Sequence, residues 1–319
     1  MNEFEFIQRV KDRFHLGRVG DDCAVLPKDG DNDLLITADL LIEDIDFQLD
    51  WTKPGLLGHK SLAVSLSDIA AMGGTPVWAM ISLGVPEDLW KSDFLDQFYE
   101  GWQRLARELG VELVGGDVSK SPDKLVIDSI VVGKVSHGKA LLRSGASAGE
   151  TIAITGTMGG AAGGLQLLRS NHRIMSESKG DLSDLIAKQL QPQPQITIAK
   201  LLNTHALATA AIDVSDGVSS DVGQLCRASG VGGRIYADKL PIHPGLADIC
   251  KDPDAALDLA LNGGEDFELL FTVPSEKLGL LADIQNVTII GETTDEPGRI
   301  EIVKDGRPET LEPHGFRHF

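Results

Sequence analysis

Six times along this chain a carboxylate stands where an apolar run gives way to glycine or a tight turn. The segments are "GDD" (Asp21, Asp22), "TAD" (Asp39), "SLSD" (Asp68), "GGD" (Asp117), "DVSDG" (Asp213, Asp216) and "GGED" (Glu265, Asp266). Aspartate is a poor strand former. A single Asp beside Gly is ordinary turn or N-cap chemistry, and Asp216 is placed to cap a helix beginning near Val218. Six such sites are more than turns require. Carboxylates at strand ends are drawn partly into the interior, where they must be paired or bind a cation. Lys and Arg are scarce in these segments. Oxygen-rich clusters without His or Cys select Mg²⁺ or a similar hard cation, which commonly bridges to substrate phosphates. The fold must therefore bring distant turns together.

The bulk numbers narrow the partners. The chain has 319 residues, enough for two domains, with 48 acidic against 29 basic residues and a formal net charge of −19. That excess argues against nucleic acid and against an anionic membrane surface, both of which need basic patches. An anionic substrate would need a divalent metal to supply positive charge. Cys23, Cys226 and Cys250 have no C-x-x-C spacing, so neither a disulfide framework nor a zinc site is expected. The charged start "MNEFEFIQRV" is not a signal peptide, and no apolar run approaches a membrane span. A cytoplasmic protein is expected.

"DLLITADLLIEDIDF" begins as an alternating strand, with Thr37 and Asp39 on one face and Ile36, Ala38 and Leu40 on the other. A helix follows, with Thr52 as N-cap, Pro54 in its first turn and Gly73–Gly74 as its stop. It is apolar or small almost all round, so it is expected to be buried, with a polar seam of Ser61, Ser65 and Asp68. A strand over 77–85, a helix from about Leu89 to Leu109, a short strand breaking at Gly115–Gly116 and a strand over 124–135 complete the first half. The texture changes near 140–150. Beyond it strands and helices alternate, predicting a mixed α/β layer, with a polar excursion over 170–183. Domains are expected at 1–138 and 149–319.

Familiar phosphate-binding motifs fail. "GLLGHKS" has His59 where a P-loop needs its lysine, and the run from Gly156 lacks the Rossmann glycines. No kinase catalytic signature, nucleophile elbow, H-E-x-x-H or EF-hand loop is present. One basic residue stands out: Arg143, in the connecting "LLRSGA", suits bidentate phosphate contact.

Taken together, "GDDCAVL", "TADLLIEDIDF", "HKSLAVSLSDIAAMGG", "LVGGD", "LLRSGA", "IDVSDGVSSD", "LNGGEDFELLFT" and the terminal "HGFRHF" resemble the thiamine-monophosphate kinase family, in order from about Phe6 to Phe319. That family lies in the superfamily of aminoimidazole ribonucleotide synthetase, selenophosphate synthetase and a hydrogenase maturation factor. The resemblance implies an α/β (α+β) chain of two domains. The N-terminal one would form a β-barrel shared across a homodimer, and the C-terminal α/β one would cover the nucleotide. It implies ATP-dependent conversion of thiamine monophosphate to thiamine diphosphate with several Mg²⁺ ions. By motif position, Asp22, Asp39, Asp68, Asp117, Asp213 and Asp216 would bind Mg²⁺, with Thr37 adding an oxygen. Tyr99, Gly116, Asp117, Arg143 and Ser215 would contact ATP, and Glu265 and Phe316 the thiamine part. Asp21 is assigned to shaping its turn and Cys23 to packing. No general base is expected, because the acceptor phosphate, with a second pKa near 6, is already nucleophilic. Two departures from the pattern are Ala38, where a hydroxyl is common, and Asp46, where His is common, so Asp46 is left out of the substrate site. The alternatives are another ATP-dependent synthetase or kinase of the superfamily, and a non-catalytic nucleotide-binding maturation factor on the same fold.

Overall fold

The computed structural model describes residues 3–170, 172 and 181–315. Phe316 and most of the 170–183 excursion lie outside the described residues. A first sheet is built from β1 (Ala24–Pro27), β2 (Asn32–Ile42), β3 (Thr75–Val85), β4 (Glu112–Lys120) and β5 (Val126–Ser136), in the order β1-β2-β5-β3-β4. Only β3 and β4 run parallel. The second sheet holds β6 (Thr151–Thr155), β7 (Ala210–Asp213), β8 (Gly232–Tyr236), β9 (Leu269–Val273), β10 (Val287–Thr294), β11 (Ile300–Lys304) and β12 (Arg307–Thr310), in the order β12-β11-β8-β10-β6-β9-β7. Helices α1 (Glu3–Phe14), α2 (Pro54–Ala71), α3 (Glu87–Trp90) and α4 (Phe94–Leu109) belong to the first half. The second half carries α5 (Gly160–Arg169), α6 (Asp181–Leu190), α7 (Ile196–Thr204), α8 (Val218–Ser229), α9 (Pro253–Asn262) and α10 (Leu278–Leu281). The mixed α/β character expected from the alternating patterns is what the two sheets show.

α2 organises the site. It lacks an apolar stripe because every side of it is covered. Its Leu62, Leu66 and Ile69 share one core with Leu35 and Ile127 of the first sheet, Phe98 and Trp102 of α4, Leu202 of α7, and Ala211 and Phe271 of the second sheet. The helix begins at Pro54, with Lys53 rather than Thr52 at the N-cap, and stops where Gly73 takes φ 68°. α4 crosses it at bare backbone. A Cβ added to Gly58 would lie 1.9 Å from the Phe98 carbonyl oxygen, and one added to Gly101 would lie 1.8 Å from that of Gly55. Only glycine permits that approach.

β2 alternates as its pattern predicts: Leu35 and Thr37 are buried beneath α2, while Ala38 and Leu40 face outward. Two expectations fail locally. The strand over 112–120 does not break at Gly115–Gly116 but runs through them. At Gly116 a Cβ would meet the Ile81 carbonyl oxygen at 2.0 Å, so the glycine lets β4 pair with β3 instead of ending it. The helix expected from Leu89 to Leu109 is two, α3 and α4, because the Ser92 side chain accepts the Phe94 N–H at 3.2 Å and starts a new turn.

Candidate active site

The C-terminal part of α2 meets the middle of β2, the end of β7 and the loop before β1. There the carboxylates of Asp22, Asp68 and Asp213 bring one oxygen each within 4.8 Å of one another. Residues almost two hundred positions apart thus form one cluster. Thr37, on β2, donates its hydroxyl to Asp68. Ser67, next to Asp68 on α2, donates to Asp213 at 2.7 Å. Asp39 lies beside them, close enough to raise the Asp68 pKa. Cys23 is buried among the same aspartates, and desolvation pushes its thiol well up, so it is a packing residue and no nucleophile.

The electrostatics are lopsided. Asp22, Asp39, Asp68 and Asp213 are all shifted upward, burial being the largest cause in each and neighbouring carboxylates adding to it. Asp39 reaches about 6 and Asp213 about 8. Among the described residues one cation answers them: Arg143 places Nη2 at 2.5 Å and Nε at 3.1 Å from Asp22 Oδ1. Arg143 also donates through Nη1 to Gln224 at 2.8 Å, and its backbone N–H binds Asp21 at 2.8 Å. The arginine is therefore drawn into the acidic cluster and is no surface loop residue. Asp22 Oδ2 and Asp39 Oδ2 are buried with no hydrogen-bond partner among the described residues. Unpartnered buried carboxylate oxygens are costly unless a cation takes them. An all-oxygen donor set of this kind fits Mg²⁺.

Asp216 is not the cap of α8. Gly217 stands at the N-cap, and the backbone N–H groups of Asp216 and Gly217 donate to Asp221 Oδ2 at 3.2 and 3.0 Å. Asp221, buried in the first turn of α8, thus holds the acidic turn from below, and Gln224 links it to Arg143. Sequence reasoning missed Asp221. Its signal was a third aspartate, five residues after Asp216, on the face of α8 that packs inward.

The other expected residues lie outside the cluster of Asp22, Asp68 and Asp213. Asp117 is exposed on edge strand β4, in register with Ser82 and through it with Asp128 and Leu40. Asp39 shares a row with Ser129 and Ile81, so Asp117 is on the opposite face of the sheet. Gly116 adjoins it. Tyr99 is half-buried on α4, edge-to-face with Phe98 at 5.6 Å, and burial raises its pKa. Its neighbour Phe98 meets Gly58, ten residues along α2 from Asp68, or about 15 Å of helix. Ser215 is half-buried in the acidic turn and accepts the Glu265 N–H at 2.8 Å. Glu265 pairs with Lys60 at 2.8 Å. Asp46 accepts the Ile42 N–H at 2.8 Å and so braces its own turn.

The arrangement has known counterparts. Residues 20–135 match the AIR synthase related protein, N-terminal domain, and residues 147–304 the AIR synthase related protein, C-terminal domain. Thiamine-monophosphate kinase of Escherichia coli K12 is 37% identical over 331 residues, covering 99% of this chain and 98% of its own. That of Bacillus subtilis is 34% identical with full coverage of both. A solved structure described as AaThiL complexed with AMPPCP and TMP superposes with a TM-score of 0.89 at 34% identity, over 100% of this chain and 97% of its own. A hydrogenase maturation protein HypE, with a TM-score of 0.69 at 19% identity over 92% of this chain and 91% of its own, shares the fold alone. Both halves match, in order and nearly end to end, and the carboxylates that the sequence scatters over two hundred residues meet in one place: this chain belongs to the thiamine-monophosphate kinase family.

Proposed function

We propose that this protein transfers the γ-phosphoryl group of ATP directly to the phosphate of thiamine monophosphate, giving thiamine diphosphate and ADP. The observation that carries the reading is the buried, under-neutralised cluster of Asp22, Asp68 and Asp213, beside Asp39, in a chain matching this family over its whole length. Two polyanions must meet in line, so catalysis is positioning plus charge neutralisation. Mg²⁺ held by Asp22, Asp68 and Asp213, with Asp39 and Asp216 at its margins, would supply that neutralisation. Arg143 balances Asp22 until substrate phosphates arrive and then offers them a planar donor fork. The acceptor phosphate attacks without a general base, since its second pKa lies near 6. Gly116, Ser215 and Tyr99 are proposed for ATP, and Glu265 and Phe316 for the thiamine part. A coupled ADP-release assay with thiamine monophosphate, an aminoimidazole precursor or no acceptor, with and without Mg²⁺, tests this. ADP release is expected only with thiamine monophosphate and Mg²⁺ together; turnover indifferent to thiamine monophosphate would sink the reading.

The working unit is proposed to be a homodimer, in the cytoplasm, with domains at 1–138 and 149–319. The outer face of the first sheet exposes Leu40, Trp78 and Ala38, and β4 is an unpaired edge. Exposed apolar sheet faces and free edges are normally covered, and Asp117 lies on this face. Light scattering should give about twice the 34.1 kDa chain mass; a monomer mass at assay concentration would refute the dimer.

A further inference from the structure

Glu265 stands in a segment of strained backbone. Glu265 has φ 65° and Phe267 φ 49°, left-handed conformations that non-glycine residues hold only when their surroundings impose them. Here they do. Glu265 donates its N–H to Ser215 at 2.8 Å and Phe267 to Val214 at 2.9 Å. Between them, buried Asp266 accepts from Gly159 at 2.6 Å and Ala161 at 3.0 Å, tying the segment to the start of α5. The Glu265 carboxylate is therefore aimed in one direction.

It ends on two side chains from different halves of the chain. Lys60, 3% exposed on α2, places Nζ 2.8 Å from Oε1. Gln189, 4% exposed on α6, donates Nε2 to Oε2 at 2.5 Å. Gln189 Oε1 is buried and has no hydrogen-bond partner among the described residues. The Gln189 side chain borders a small cleft that Lys60 and Trp51 also line. We propose that Lys60 and Gln189 are a two-pronged mount for Glu265, and that Gln189 Oε1 accepts a hydrogen bond from the amino group on the heterocycle of the acceptor. This deepens the proposed activity and rests on it.

The chemistry selects the donor. The carboxylate oxygens of Glu265 and the bare Gln189 Oε1 are all acceptors. A ring carrying an amino group satisfies them, and one carrying an oxo group in its place sets acceptor against acceptor. Lys60 and Asp68 stand eight residues apart on α2, about 12 Å along its axis. One helix thus fixes the span between the ring end and the phosphate end of the acceptor.

Steady-state kinetics on the full chain, with thiamine monophosphate and its oxo-for-amino analogue, test the mount. Lys60→Met and Gln189→Leu should each raise KM for thiamine monophosphate at least tenfold, with KM for ATP and kcat moving less than about threefold. Both should erase most of the preference for the amino over the oxo acceptor, and Lys60→Arg should recover part of it. An unchanged KM for thiamine monophosphate, or an equal shift in KM for ATP and kcat, overturns the proposal. If circular dichroism shows Lys60→Met unfolded, Lys60→Arg and Gln189→Leu decide on the same criteria. Wild-type enzyme inactive on thiamine monophosphate overturns the activity and the mount together, whereas active wild type with unaltered variants overturns the mount alone.

Discussion

Replacing Asp68 by Asn should make the metal-free protein more stable and the enzyme nearly inactive. Asp68 is buried against Asp39, Asp213 and Asp22, and burial with those neighbours drives its pKa well up. Removing one carboxylate from a cluster answered, among the described residues, by Arg143 alone relieves repulsion, while the Thr37 hydroxyl keeps an acceptor in the amide oxygen. A gain on the order of 2 kcal/mol, or about 4 °C in Tm, is expected for chelator-treated protein at pH 8. Turnover should fall at least about a thousandfold, the scale set by loss of one preorganised charge-stabilising group. Thermal melts and ADP-release assays on one preparation check both. Unchanged turnover, or a lower metal-free Tm, would contradict the account of the cluster.

The second large effect is a pH-dependent response to Mg²⁺. Burial and carboxylate neighbours raise Asp39 to about 6 and Asp213 to about 8, against 3.8 for the ordinary side chain. The folded protein therefore binds protons that the unfolded chain does not. The corresponding stability is fully present below about pH 4 and is lost as pH rises through 6 and then 8. Metal-free Tm should fall across pH 5 to 8.5, by an amount on the order of 3 kcal/mol or about 6 °C. Mg²⁺ needs the ionised ligands, so its stabilising shift should grow over the same interval, with proton release on binding. Melts with EDTA or excess Mg²⁺ at several pH values measure this. A Mg²⁺ shift that is flat, or larger at pH 5.5 than at 8, would contradict it.

The convergence of Asp22, Asp68 and Asp213 was legible because buried carboxylates in so many apolar settings had to meet something. Their partners were less so. Asp221 and Gln224 act through backbone N–H groups and through Arg143, and such contacts leave no periodicity. Lys60 looked like the remnant of a failed P-loop. A lysine inside a helix that is apolar all round is itself a sign of a buried pair, but its partner lies two hundred residues away. The glycines of β4 misled because Gly–Gly usually ends a strand, and here it lets one strand lie close on another.

The glycine crossing of α2 and α4 has a mechanical consequence. Backbone rests on backbone at Gly55, Gly58 and Gly101, so at its crossing with α4 the helix has no soft side-chain layer on which to slide. Any displacement of the helix must carry Lys60 and Asp68 along as one stiff beam. The gap between them is then insulated from repacking elsewhere in the core, and reshaping the acceptor range would require changing the side chains at the beam's ends, not the packing that supports it.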